Sequence, residues 1–249
     1  MKALLRLALL VLLSGIAMQL YFVARIALMG FVDPESTTFE RSAVYSVVAR
    51  TGSLKWRQQW VAYADISDNL KRAVIASEDA SFTEHEGVDI EALEKAWDKN
   101  AKAEQRVQQS TNKNQGTKTT AKPVKPAKIV GGSTITQQLA KNLFLSGERT
   151  LLRKGQELVL TLLLERLLNK ERILEIYLNS VEWGEGVYGA EAASQHYYRK
   201  TASKLSAYEA ARLAVMLPRP KYFETRPNSG YLSSRASTIA ARMGGVELP

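Results

Sequence analysis

Apolar residues are distributed along this chain in three ways, and each predicts a different kind of element. From Leu7 to Ala24 the sequence LALLVLLSGIAMQLYFVA carries no charge and continues past Arg25 into IALMGFV. A helix of that length crosses a hydrocarbon layer of roughly 30 Å, so the segment predicts a transmembrane anchor over residues 7–29. The other reading, a cleaved signal peptide, fits less well: the stretch exceeds the roughly 7 to 15 residues of such a core, and no clear A-x-A site follows. Lys2 and Arg6 flank the start, which makes residues 1–6 a cytoplasmic tail by the positive-inside tendency, although Arg25 on the far side weakens that bias. Residues 30–249 are then expected to be extracytoplasmic.

The second pattern is TTFERSAVYSVVARTGSLKWRQQWVAY, whose β-branched and aromatic residues predict a short strand or a packed extended stretch. The third begins at Thr134. TITQQLAKNLFL, RKGQELVLTLLLERLL, KERILEIYLN and KLSAYEAARLAVML all repeat apolar residues at three- and four-residue spacing, which predicts a mainly α domain. Within it LVLTLLLERLL is apolar nearly all round yet too short to span, so it is expected as a buried central helix. Between these patterns, residues 99–128 hold almost no apolar side chain, many lysines and two prolines. Such a stretch cannot offset its ordering entropy by burial and reads as a mobile basic insertion, either simply solvated or lying along anionic headgroups.

Composition adds limits. With 249 residues, 45% hydrophobic and 24% charged, the chain can bury one substantial core. The formal net charge of +9 favours an anionic partner, and an exported domain meets membrane and phosphate rather than nucleic acid. The absence of cysteine excludes disulfides, thiolate nucleophiles and cysteine-ligated metals. Only two histidines leave little for a zinc site, while an oxygen-ligated Mg²⁺ or Mn²⁺ leaves no compositional mark.

Three constellations could carry chemistry. In AVIASEDASFTEHEGVD an apolar run delivers Glu78 and Asp79, followed by Phe82 and His85. If the segment turns helically, Glu78, Phe82 and His85 share a face, and a carboxylate among apolar groups has its pKa raised toward the range useful for a general base. The plainer reading is a solvated pair of acids in a first helical turn. In GGSTITQQLAKNLFL, Thr134 and Gln137 fit a capping box. Thr134, Gln138 and Lys141 follow at helical offsets, with Asn142 beside them, offering polar groups to a phosphate or sugar; an ordinary capped helix with a polar side explains them as well. In RKGQELVLTLLLE, Arg153 and Glu157 are four apart, which means either a simple ion pair or a second carboxylate with Arg153 and Lys154 holding a departing phosphate.

Taken in order, these elements resemble the peptidoglycan glycosyltransferases, a lysozyme-like family that occurs alone or fused to penicillin-binding transpeptidase domains. SEDASFTEHEG resembles the family's Glu-Asp-x-x-Phe-x-x-His-x-Gly element, GGSTITQQLAKNLFL its Gly-x-Ser-Thr-x-x-Gln-Gln-x-x-Lys-Asn element, and RKGQE its Arg-Lys-x-x-Glu element. KERILEIYLNSVEWGEGVYGAEAASQHYY and ARLAVMLPRP agree as well, so the resemblance covers roughly Ala43 to Arg226. The basic insertion is the main departure. The chain ends at Pro249 without length for a transpeptidase domain, so a monofunctional biosynthetic enzyme is expected.

The resemblance implies a lysozyme-like, two-lobed glycosyltransferase domain behind one transmembrane helix in a bacterial inner membrane, facing the periplasm. It implies polymerisation of lipid II onto a growing glycan strand, with inversion and release of polyprenyl pyrophosphate. Glu78 is then the catalytic base and Glu157 the second carboxylate. Asp79, Phe82, His85, Thr134, Gln138, Lys141, Asn142, Arg153 and Lys154 form the substrate-binding surroundings, no organic cofactor is called for, and Glu157 either orients the cations or binds a divalent Mg²⁺ or Mn²⁺ that bridges the pyrophosphate. The membrane and other cell-wall synthesis proteins are the expected partners. Two readings compete: a lysozyme-like lytic enzyme, which has no need of cations for a phosphate leaving group, and a non-catalytic membrane-tethered scaffold, for which both glutamates are dispensable.

Overall fold

The computed structural model of the chain describes residues 1–115, 132–145 and 150–249. The segment expected to be an anchor is one helix, α1 (Lys2–Leu28), long and apolar enough to cross a membrane, with its apolar side chains exposed along most of its length. Only its last turns touch the domain: Ile26 and Met29 are buried.

The expected extended stretch is instead a helix, α2 (Thr38–Thr51). Local capping outweighs the β-branched residues. Thr37 accepts from the backbone N–H of Glu40 at 3.0 Å, the Glu40 carboxylate accepts from that of Thr37 at 2.9 Å, and Gly52 closes the helix in the left-handed region at φ 67°. Burial of the Glu40 carboxyl pushes its pKa up from 4.5 to about 7. A raised carboxyl stabilises the fold below its unfolded value and loses that contribution as pH rises through the folded value. Glu40→Gln should therefore flatten the fall in stability between pH 4.5 and about 7. Thermal unfolding of both proteins across that window checks it, and equal slopes would contradict it.

After β1 (Arg57–Gln58) come α3 (Asp68–Glu78) and α4 (Ile90–Gln115). Residues 99–115, expected as part of a mobile loop, are helical. They are poor in apolar groups, but Ala, Lys, Glu, Gln and Arg favour helix whether or not they are buried, and neither Gly nor Pro interrupts them. The remainder of that expected insertion, 116–128, lies outside the described residues.

The helices α5 (Ile135–Phe144), α6 (Leu151–Leu167), α7 (Lys170–Ser180) and α9 (Ala207–Met216) follow the predicted periodicity, with α8 (Ala190–Tyr198), α10 (Pro220–Glu224) and α11 (Gly230–Arg242) completing the α set. A small sheet joins β1, β3 (Val187–Tyr188) and β2 (Glu182–Gly184) in the order β1-β3-β2, parallel then antiparallel. It needs glycine at Gly186: a Cβ there would stand 2.3 Å from the Lys55 carbonyl oxygen.

One core cluster runs through the domain. On one side α3, α9 and α11 pack together; on the other, α5 lies among α2, α6 and α7, and α1 leans on α6. The helix α6 is not buried all round as expected. Leu160 and Leu164 face α5, whereas Leu151, Leu152, Leu158, Val159 and Leu162 are exposed, because α6 sits at the edge of the core.

Candidate active site

Leu70, Ala73 and Val74 give α3 one buried face, and Ser67 caps its start. The helix ends at Glu78 because the backbone of Asp79 turns away (φ −163°, ψ 75°). Phe82 and His85 consequently do not share a helical face with Glu78; they lie in the turns that follow. Glu78 is left at the helix tip. Its carboxylate accepts from Gln138 Nε2 at 3.0 Å and from the Ser77 hydroxyl at 3.4 Å. The buried Tyr177 hydroxyl donates to Gln138 Oε1 at 3.0 Å, which leaves the amide N–H groups to face Glu78. Burial pushes the Glu78 pKa above the ordinary carboxylate value, and the neighbouring Asp79 adds to this. The bonds from Gln138 and Ser77 and the charge of Arg235 pull the other way.

Asp79 has a different task. One oxygen accepts from His85 Nε2 at 2.8 Å and the other from the backbone N–H of Ile135 at 2.9 Å. The N–H of Gly87 donates to His85 Nδ1 at 3.1 Å, so the ring proton sits on Nε2, facing Asp79. The anion-binding N-terminus of α5 is thus filled by the protein's own carboxylate rather than left for a ligand. Thr134 is similarly committed: it caps α5 and donates to the Gly87 carbonyl at 2.6 Å. Gly87, at φ 85°, seats this turn on α6, where a Cβ would meet Thr161 at 2.7 Å. Phe82 is fully enclosed, with Lys170 Nζ 4.6 Å from its ring centre. Asp79, Phe82, His85 and Thr134 therefore hold the floor of the site together.

The ligand atoms of Asp79, His85 and Asp89 lie within 4.8 Å of one another. Both His85 nitrogens are already hydrogen-bonded, and Asp89 accepts from Ser81 and from the N–H of Ala92. Hydrogen bonds thus already engage all three side chains, Asp79 with His85 and Asp89 with Ser81, and join each to the neighbouring backbone.

On α6, started by the Thr150 cap, Arg153 Nη1 meets Glu157 Oε2 at 2.9 Å while Lys154 pairs with Oε1. Glu157 is buried and Lys154 half exposed. Arg153 Nε is buried with no hydrogen-bond acceptor among the described residues. Lys141 stands exposed near the end of α5 and Asn142 is buried beside it. Helix α5 links the two halves, bonding through Gln138 to Glu78 and packing along α6.

A cleft of about 490 Å³ opens at Glu78, Asp79 and Thr134. Four cations also line it, Lys95, Lys99, Arg235 and Arg242. Sequence reasoning missed them. Their spacing, four apart on α4 and seven apart on α11, marks one face of each helix, but spacing alone does not separate a cleft face from a solvated one.

The model of the Transglycosylase family matches residues 46–123 and 117–244. The chain belongs to the transglycosylase family. It is 53% identical over 236 residues to the biosynthetic peptidoglycan transglycosylase of Burkholderia thailandensis, an alignment covering 95% of this chain and 84% of that protein. Like-named proteins of Burkholderia cenocepacia and Burkholderia multivorans are each 51% identical, over 95% of this chain and 87% of theirs. The transglycosylase domain is the mainly α, lysozyme-like one expected, and the chain is a glycosyltransferase.

Proposed function

We propose that this transglycosylase polymerises peptidoglycan strands at a membrane surface from lipid II, the growing strand being the donor and lipid II the acceptor. The observation that carries this reading is Glu78: a carboxylate with a raised pKa, at the tip of a helix, in a cleft lined by cations. In the proposed step Glu78 takes the proton of the acceptor's 4-hydroxyl, the oxygen bonds to the donor's anomeric carbon from the face opposite the pyrophosphate, and the carbon–oxygen bond to phosphate breaks with its electron pair leaving on the pyrophosphate. Gln138 orients Glu78. Lys141, Arg153 and Lys154 balance the leaving charge, and Asn142 helps position the sugars and phosphates. The buried, unbonded Nε of Arg153 supports its part in this, and Arg235 and Arg242 add positive potential to the cleft. The lytic alternative has no use for such a set of cations.

Glu157 offers a carboxylate for a divalent ion at the pyrophosphate. Lys154 is half exposed and can release Glu157 Oε1 to Mg²⁺ or Mn²⁺, which would neutralise part of the pyrophosphate charge. Chelation by EDTA is expected to lower the rate and added Mg²⁺ to restore it, with Glu157→Gln needing more Mg²⁺ for half-restoration. An unchanged rate in EDTA would remove the ion from the account.

A basic Glu78 also sets the pH dependence. Its ionised form is the active one, so kcat/KM rises with pH through a value above the ordinary carboxylate range. Arg235 holds that value down, so Arg235→Ala should move the acid limb to higher pH. A profile in which the limb stays put would contradict this role for Glu78. For the location, the length and composition of α1 support a single-pass anchor, and the flanking Lys2 and Arg6 argue for the tail in the cytoplasm with residues 30–249 in the periplasm. Resistance to carbonate extraction, together with protease access to the domain in spheroplasts, tests both. Other cell-wall synthesis proteins are the partners this location offers; the basic surface gives no reason to invoke nucleic acid there.

A further inference from the structure

The charge-free stretch of α1 contains an amide, Gln19, nine residues before the helix ends at Leu28, or about 14 Å along its axis. An amide with no partner in hydrocarbon is unfavourable by several kcal/mol. This one has a partner. Gln19 Nε2 donates to Gln156 Oε1 at 2.9 Å, and Gln156 Nε2 lies 3.4 Å from Gln19 Oε1 in return. Among the described residues it is the only hydrogen bond by which a side chain of α1 reaches the domain. It lies on a continuous seam: Gln19, Phe22, Ile26 and Met29 follow at three- and four-residue steps, Phe22 meets Phe144 edge-on at 5.3 Å, and Arg172 Nε donates to the Met29 carbonyl at 2.8 Å. Apolar contacts along such a seam tolerate sliding, whereas a paired amide does not. A shift of one turn, about 5.4 Å, would leave both amides unmatched.

Gln156 immediately precedes Glu157. Successive helical positions point about 100° apart, so α6 turns Gln156 to the anchor and Glu157 to Arg153 and Lys154. We propose that the Gln19–Gln156 amide pair is a positioning device that fixes the depth and rotation of the anchor against α6, and so sets the depth, relative to the bilayer, at which Arg153, Lys154 and Glu157 meet a membrane-held polyprenyl pyrophosphate. This rests on the anchored, lipid-linked reading given above. The two glutamines act through α6 and do not touch substrate.

The test uses the full chain in vesicles made from phosphatidylcholines of increasing acyl length, with labelled lipid II. Wild type is expected to show a sharp optimum of rate with bilayer thickness. Gln19→Leu and Gln156→Leu should each lower the rate at that optimum by about threefold to tenfold, flatten the thickness profile and leave the thermal midpoint unchanged, and the double variant should be no slower than either single one. Because the natural chain has no cysteine, Gln19→Cys with Gln156→Cys can be joined selectively by a short bifunctional thiosulfonate. Joining them should restore the rate that the two substitutions remove. Unchanged rates and profiles in the leucine variants, additive losses, failure of the cysteines to join, or a joined enzyme that stays slow would each overturn the proposal. Failure of wild type to incorporate label would instead defeat the polymerase reading itself.

Discussion

Replacing Glu78 with glutamine is expected to lower polymerisation by about 10²- to 10⁴-fold, the contribution of a positioned general base. Glutamine keeps the shape of the side chain and still bonds to Gln138, but it cannot take a proton. The fold should be indifferent to the change or gain from it, because burial already disfavours the ionised form of Glu78. The expected signature is thus a near-total loss of rate with an unchanged or raised thermal midpoint. Steady-state incorporation of label alongside thermal unfolding separates the two. A Glu78→Gln enzyme within a few-fold of wild type would remove Glu78 from the base role.

Asp79 stands next to Glu78, yet its loss should look quite different. Its carboxylate satisfies two buried donors, His85 Nε2 and the N–H of Ile135, and through them ties the turn after α3 to the start of α5. Asp79→Ala leaves both donors without an acceptor, an expected loss of about 2 to 5 kcal/mol and a midpoint lowered by roughly 5 to 15 °C. Activity falls with it, because Gln138 rides on the same helix and orients Glu78. Asp79→Asn keeps one acceptor and should fall between wild type and alanine. Calorimetry of the three proteins checks the order; an Asp79→Ala protein as stable as wild type would show that the bridge contributes nothing.

The contrast between these neighbours also marks how far the sequence could be read. The long apolar N-terminal helix, the helices α5, α6, α7 and α9, the Thr134–Gln137 capping box and the Arg153–Glu157 pair all depend on local sequence pattern, and each appears where that pattern puts it. Local capping also governs α2, where the Thr37–Glu40 box and Gly52 outweigh the β-branched residues between them. What spacing cannot carry is the choice of neighbours across the fold. That Asp79 would reach α5, that Tyr177 would orient Gln138, and that Arg235 would come from α11 to Glu78 depend on packing between segments far apart in the chain. The same limit explains Phe82 and Thr134. Phe82, expected at the cleft wall, is enclosed in the core, and Thr134, expected to serve a ligand as well as the cap, is spent in two hydrogen bonds inside the protein.

The most direct test of the account is whether the purified full chain, in vesicles, converts labelled lipid II into polymer. The account predicts high-molecular-weight product that lysozyme digests to fragments, formed by wild type and not by folded Glu78→Gln. No polymer from folded wild type in the presence of Mg²⁺ or Mn²⁺, or release of soluble saccharides from preformed glycan in its place, would contradict it.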